Sequence, residues 1–122
     1  MKEVLVALAF VTPAELPEDG LASFRWDARP VLVFAEADDP RLERQLTLFE
    51  ANAADMAERR NLVIADTGAG GALRARFQPA GFTVILVGLD GGEKFRSGSV
   101  VDPDRLDELI DRMPMRRREM QG

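Results

Sequence analysis

The fold of this chain is decided by the stretch Pro30-Val31-Leu32-Val33-Phe34-Ala35-Glu36-Ala37-Asp38-Asp39-Pro40-Arg41. It opens with a continuous apolar run of strand length, which is typical of a strand covered on both faces. Asp39 follows and can cap the exposed backbone donors of a helix, and Pro40 suits the first helical position. The stretch therefore predicts a buried strand that leads directly into a helix.

The predicted helix is amphipathic and should run to about Arg59. Its apolar residues recur at spacings of three and four, so they form one stripe that faces a core. The members of the stripe are Leu42, Leu46, Phe49, Ala53 and Met56.

Further elements follow from apolar runs and turn residues. Strands are predicted at 61–66, 82–87 and 94–96, a glycine-bearing loop at 67–71, a short helix at 72–77, a hairpin turn at 90–92 and a last helix from Asp102-Pro103 to Met113-Pro114. The order gives a βαβ unit followed by a ββα unit. We expect an α/β domain with a mixed sheet of four or five strands flanked by helices.

The composition narrows the chemistry that this chain can perform. Its 122 residues give room for one domain, and they include neither cysteine nor histidine. Thiol nucleophiles, histidine bases and the usual zinc ligand sets are excluded, which leaves only oxygen ligands for a hard metal ion. The net charge of −5 argues against a nucleic-acid partner.

Residues 1–14 allow two interpretations. Met1-Lys2, an apolar run at 4–11 and Thr12-Pro13-Ala14 resemble a secretory signal peptide, which would favour a periplasmic or secreted location over the cytoplasm. The alternative is an extra strand at the edge of the sheet. The run is too short to span a bilayer, so no transmembrane segment is expected. Residues 15–122 form the predicted domain, with a basic tail at 116–118.

Several segments resemble the bacterial domain-of-unknown-function family 4174, a peroxiredoxin-like or thioredoxin-like branch related to domains of animal sushi-repeat extracellular proteins. The resemblance covers about residues 21–120, and it implies a thioredoxin-like fold. The segments that carry it are Phe24-Arg25-Trp26, Arg29 to Ala35, Asp38 to Leu42, Gly81 to Gly88 and Met113 to Met120.

Compared with thioredoxins, the chain lacks both halves of the redox site. Asp38 stands where the nucleophilic cysteine would be, Pro40 matches the proline of the motif, and Arg41 replaces the resolving cysteine. Phe82 stands where thioredoxins have a cis-proline. Because thiol exchange needs a thiolate that attacks sulfur, thiol–disulfide and peroxidase activities are excluded.

We therefore expect a non-catalytic binding module that needs no cofactor and binds a protein or a small ligand. The predicted groove lies near Asp38, Asp39, Arg41, Phe82 and Trp26. Trp26 also has a structural interpretation, as a plug of the core, because a tryptophan buries a large area.

The alternative is a cysteine-independent enzyme in an antioxidant or oxidoreductase role, with a divalent ion at Asp38, Asp39 and Asp66. These acids follow the carboxyl ends of two predicted strands, where open α/β sheets bind ligands. Helix capping by Asp39 and two loop acids explain the same residues without a metal. The arginines at 116–118 are expected in a solvated tail, whereas the family resemblance implies that they pair with acids of the same domain.

Overall fold

The computed structural model describes residues 7–121. Its strands are β1 (Ala9–Val11), β2 (Arg29–Phe34), β3 (Asn61–Asp66), β4 (Thr83–Val87) and β5 (Glu93–Ser97). Its α-helices are α1 (Pro40–Ala51), α2 (Ala53–Glu58), α3 (Ala72–Phe77), α4 (Pro103–Asp111) and α5 (Pro114–Gln121). Two 3₁₀ segments, Pro13–Glu15 and Gly20–Phe24, connect β1 to β2.

The five strands form one mixed sheet in the order β1-β3-β2-β4-β5. Strand β3 runs parallel to both β1 and β2, whereas β4 runs antiparallel to β2 and to β5. Every residue of β2 is buried, as expected for a central strand with both faces covered. The predicted mixed α/β architecture, with βαβ followed by ββα, is confirmed.

Each face of the sheet carries its own hydrophobic cluster. One cluster packs the side chains of α1, α2 and α4 against β2, β3 and β4, and it includes Phe49, Met56 and Leu106. All five residues of the predicted apolar stripe lie in this cluster or pack against it. The other cluster joins Phe34, Leu73 and Phe77 on the face that α3 and the second 3₁₀ segment cover.

Helix starts follow the predicted caps, but one predicted helix is interrupted. The side chain of Asp39 accepts from the backbone N–H of Arg41 at 2.9 Å, and that of Asp102 accepts from Asp104 at 3.0 Å. The helix expected to reach Arg59 without a break is divided into α1 and α2 at Asn52. The Asn52 amide donates to an Asp107 carboxylate oxygen at 3.0 Å, so this residue links the junction to α4.

The predicted solvated basic tail is instead a helix, and this corrects the sequence interpretation. Within α5, Arg116 is 4% exposed, and its guanidinium contacts carboxylates of Glu58, Asp111 and Glu119 at 2.9, 3.2 and 3.4 Å. Glu119 also pairs with Arg29 at 3.0 Å. The pairing with acids of the same domain that the family resemblance implies holds for Arg116. The neighbouring arginines at 117 and 118 are exposed.

The interpretation of Trp26 as a core plug is wrong. Its side chain is 57% exposed, and its backbone has φ of 72°, a left-handed conformation that is uncommon for a residue with a side chain. The Trp26 N–H donates to the carbonyl oxygen of Leu89 at 2.6 Å. This bond fixes the backbone turn and leaves the indole outside the core.

The first strand pairs with β3 over Ala9 to Val11. Residues 1–6, on which much of the predicted leader falls, lie outside the described residues. The signal-peptide interpretation of residues 1–14 stays a prediction. Over residues 7–121, no helix combines the length and the apolar character that crossing a bilayer requires.

Candidate functional site

The carboxyl end of β2 and the start of β4 meet at one edge of the sheet. Phe34 at the end of β2 pairs in register with Thr83 and, on its other side, with Asp66 at the end of β3. Next to this junction is a cavity of ≈ 410 Å³, which we call the Arg41 cavity. Its lining residues are Ala35, Glu36, Asp39, Arg41, Arg74, Gly81 and Phe82.

Arg41 is held in place from two directions. Its Nη2 lies 2.7 Å from Asp39 Oδ2, and its Nε donates to Asp39 Oδ1 at 3.0 Å. The guanidinium carbon lies 4.9 Å from the centroid of the buried Phe82 ring, within the range of a cation–π contact. The Arg41 side chain is nevertheless 50% exposed, so its guanidinium is fixed in position and still accessible to solvent.

The Asp39–Arg41 pair is fixed in its charged form near neutral pH. The hydrogen bonds from the Arg41 side chain and backbone lower the pKa of the Asp39 carboxyl. The same side-chain hydrogen bond raises the pKa of Arg41. Both pKa shifts move away from neutrality, so the two side chains keep their charges near neutral pH and are not poised to exchange protons.

A second arginine of the cavity, Arg74 of α3, was missed by the sequence prediction. Its guanidinium carbon lies 5.4 Å from the Phe34 ring centroid. Its Nη2 donates to the backbone carbonyl of Asp66 at 3.0 Å, and its Nε lies 3.4 Å from Asp66 Oδ1. The sequence places Arg74 on a short helix but gives no signal that this helix turns it toward the end of β2.

The structure brings together three of the five residues of the predicted groove. Asp39, Arg41 and Phe82 line the Arg41 cavity. Asp38 instead lines a neighbouring surface along α1 together with Glu43 and Glu50. Trp26 precedes the amino end of β2 and bonds to Leu89 beyond the end of β4, so about 20 Å of strand separates it from the cavity.

The alternative metal site does not assemble from its three predicted aspartates. Asp66 is 3% exposed and its Oδ1 contacts the Gly68 N–H at 3.0 Å and Arg74 Nε at 3.4 Å, while the Asp39 carboxylate is paired with Arg41. Within residues 7–121, no group of three acidic side chains lies close enough to hold a metal ion.

A comparison with known protein families identifies the domain that contains this cavity. The model of the family described as "Domain of unknown function (DUF4174)" matches residues 20–119. The chain belongs to this family. The match includes all lining residues of the Arg41 cavity and residues 114–119 of α5. A comparison with curated proteins finds no match.

Solved structures with a similar fold include thioredoxins and a protein named Trxlp. A mutant thioredoxin from Halobacterium salinarum has a TM-score of 0.64 at 17% identity, covering 84% of this chain and 88% of its own. Thioredoxin from Malassezia sympodialis has a TM-score of 0.64 at 15% identity, with coverages of 90% and 94%. Trxlp from Edwardsiella tarda has a TM-score of 0.58 at 23% identity, with coverages of 82% and 97%. The DUF4174 domain therefore has a thioredoxin-like fold, in a chain without cysteine.

Proposed function

We propose that this DUF4174 domain is a non-catalytic binding module that holds a protein segment or a small ligand in the Arg41 cavity. One observation carries the proposal. Two guanidinium groups, of Arg41 and Arg74, line the same cavity, and each is fixed by an aromatic ring and by Asp39 or Asp66.

Fixed guanidinium groups are suited to binding because little rotamer entropy remains to be lost when a ligand arrives. Each arginine also keeps unused donors. Over residues 7–121, the Nη1 groups of Arg41 and Arg74 make no hydrogen bond, while their other nitrogens contact Asp39 and Asp66. A ligand with carbonyl or carboxylate oxygens would accept hydrogen bonds from these free donors of both arginines.

The position in the fold supports the same conclusion. In α/β sheets, ligands bind beyond the carboxyl ends of strands, where neighbouring connections lead in different directions. Here β2 continues into α1, and β4 enters from the opposite direction beside it. The loop after β2 and the loop before β4 supply Glu36, Gly81 and Phe82 to the cavity.

The chemistry of the cavity supports binding more than turnover. The chain has no cysteine or histidine, and the pKa shifts of Asp39 and Arg41 both move away from neutral pH. Neither partner is poised to transfer protons there. The alternative of a cysteine-independent enzyme with a divalent ion gains no supporting observation, because within residues 7–121 no three acidic side chains lie close enough together to hold a metal ion.

Selection of peptide binders tests whether the Arg41 cavity holds a protein segment. The full chain is immobilised and used to select peptides from a random library displayed on phage. Affinities of the selected peptides are then measured for the unmodified chain and for Arg41→Met, which keeps the apolar stem and removes the donors. We expect about tenfold weaker binding by the variant, the usual loss for a charge-assisted hydrogen bond.

Arg105→Met is the matched control. Arg105 lies 5.3 Å over the Phe95 ring, so it is also an arginine on a phenylalanine, but it is not a lining residue of the Arg41 cavity. We expect binding by this variant within about twofold of the unmodified chain, because no donor of the cavity is lost. Equal affinities of all three proteins for every selected peptide would contradict the proposal.

A further inference from the structure

A second cavity lies on the other side of Asp66 and is separate from the Arg41 cavity. We call it the Asp66 groove. It has a volume of ≈ 440 Å³ and lies between the segment 12–20 and the loop that follows β3. Its walls are largely apolar and include Pro13, Ala14, Leu16, Pro17, Ala65 and Leu73. Its ionisable lining residues are Glu18 and Asp66, both acidic.

Asp66 presents an unsatisfied acceptor although its side chain is only 5% exposed. Oδ1 accepts from the Gly68 N–H at 3.0 Å and lies 3.4 Å from Arg74 Nε, a long contact. Within the described part of the chain, Oδ2 has no hydrogen-bond partner. Oδ2 is also not among the fully buried side-chain atoms that lack a partner, so it keeps some accessible surface, and Asp66 is a lining residue of the groove.

A nearly buried carboxylate oxygen without a donor is costly unless something satisfies it. Water can do so, but the apolar walls around Asp66 offer water few further partners. A ligand that carries a cationic donor and an apolar body would satisfy the oxygen and cover the walls together. The two acidic side chains complement such a cation and repel an anion.

We propose that the Asp66 groove binds a small primary amine, whose ammonium group donates to Asp66 Oδ2 and whose hydrocarbon body packs against Pro13, Leu16 and Leu73. The volume of the groove lies within the range of small-molecule sites. Arg74, which lines the Arg41 cavity, contacts Oδ1 of Asp66, so Oδ2 is the oxygen that remains to accept from a ligand in the groove that Asp66 lines. The proposal is independent of the binding function assigned to the Arg41 cavity.

Titration of the full chain with matched probes tests the assignment. Two-dimensional ¹⁵N–¹H spectra are recorded with n-hexylammonium, with 1-hexanol of the same length, and with hexanoate of opposite charge. We expect saturable shifts at Thr67, Gly68 and Leu73, with hexylammonium binding about tenfold tighter than hexanol and hexanoate binding weakest. Equal affinities for hexylammonium and hexanol would overturn the proposal.

Asp66→Asn removes the charge and keeps an oxygen that can accept from Gly68. We expect the preference for hexylammonium over hexanol to fall below about twofold in this variant. Asp38→Asn is the matched control, because it removes an exposed carboxylate at the same sheet edge that does not line the groove. An unchanged preference in Asp66→Asn, or one lost in Asp38→Asn, would contradict the role of Asp66.

Ala14→Phe provides a test that leaves Asp66 intact. Ala14 is exposed and lines the groove, so a larger side chain should fill the space without disturbing the core. We expect it to weaken the binding of all three probes together.

An N-acetylated, amidated lysine distinguishes a free amine from a lysine of a protein, and it should bind more weakly than hexylammonium. Tighter binding by the lysine derivative, or unchanged binding by Ala14→Phe, would overturn the assignment.

Discussion

Strand β2 has arginine–carboxylate pairs at both of its ends, but the two ends differ in what surrounds them. At the amino end, Arg29 is 1% exposed and pairs with Glu119, while Arg116 and Arg59 extend the contacts to Asp111. At the carboxyl end, the Arg41–Asp39 pair lies over Phe82 and opens into a cavity. Arginine–carboxylate pairs at the amino end of β2 thus make their contacts inside the fold, whereas at the carboxyl end they leave guanidinium donors available.

The difference indicates that charge pairs alone do not identify a functional site. The arginines at the amino end are engaged by several partners within the fold, and they attach α5 to the sheet. Arg29, for example, donates to the Arg59 carbonyl at 2.9 Å and to both carboxylate oxygens of Glu119. Over residues 7–121, Arg41 pairs with one carboxylate, that of Asp39, and its side chain is half-exposed. Four predictions test this contrast, from the largest expected effect to the smallest.

The largest effect is expected for Arg29→Met. This variant keeps the buried stem but removes the charge, so Glu119 loses its main partner in a partly buried site. Removing one member of a buried pair typically costs about 3–5 kcal/mol of the free energy of unfolding. Urea denaturation followed by circular dichroism measures the loss. A loss below about 1 kcal/mol would show that the amino-end pairs are no more structural than surface pairs.

A smaller and pH-dependent effect is expected for Asp111→Asn. Hydrogen bonds from Arg59 hold the pKa of Asp111 below its ordinary value of 3.8, although burial opposes the shift. A carboxylate with a lowered folded-state pKa stabilises the fold above its unfolded pKa, and this contribution is lost as the pH falls. After allowance for solvent screening, we expect the variant to be about 1 kcal/mol less stable near neutral pH.

The pH dependence gives the sharper readout for Asp111→Asn. Thermal melts from about pH 7 down to about pH 2 should show the difference between the two proteins shrinking as Asp111 becomes protonated. A constant difference over this range would mean that the charge of Asp111 contributes nothing to stability.

At the open end, Arg41→Met should lower the free energy of unfolding much less than Arg29→Met does, because Arg41 is half-exposed and Asp39 still caps α1 through the backbone N–H of residue 41. The same urea titration as for Arg29→Met gives a direct comparison. A loss as large as that of Arg29→Met would mean that the Arg41 pair holds the fold together and is not kept for a ligand.

The smallest effect is expected for Trp26→Gly. Glycine adopts the observed φ of 72° without strain, and this gain offsets the added chain entropy of the unfolded state. Since the indole is mostly exposed, we expect a change of less than about 1 kcal/mol in either direction. A buried aromatic core residue would instead cost about 3–5 kcal/mol on truncation. Calorimetric melting distinguishes the two values.

The local signals of the sequence were sufficient for most of the fold. Apolar runs located the buried strands, and aspartate–proline pairs located the starts of α1 and α4, because strand burial and helix capping depend on neighbouring residues. The same signals placed Asp39 and Arg41 at the carboxyl end of β2. They also placed Phe82 beside the start of β4, so three of the seven lining residues of the Arg41 cavity were predictable.

The rest depends on contacts between distant parts of the chain. The burial of Arg116 requires Glu58, which lies 58 positions away in sequence. The backbone N–H of Trp26 is bonded to the distant Leu89 carbonyl, and the guanidinium of Arg74 lies over the ring of Phe34, 40 positions earlier in the sequence. Neither the composition of the chain nor the periodicity of its apolar residues predicts such contacts between distant residues.

The most direct test of the Arg41 cavity as the binding site is a map of amide shifts in ¹⁵N–¹H spectra when the full chain is saturated with a peptide selected for binding. We predict that the perturbations centre on Glu36, Arg41 and Gly81 and that they disappear in Arg41→Met. Perturbations centred on Trp26 and Leu89, at the other end of β2, would contradict binding at this cavity.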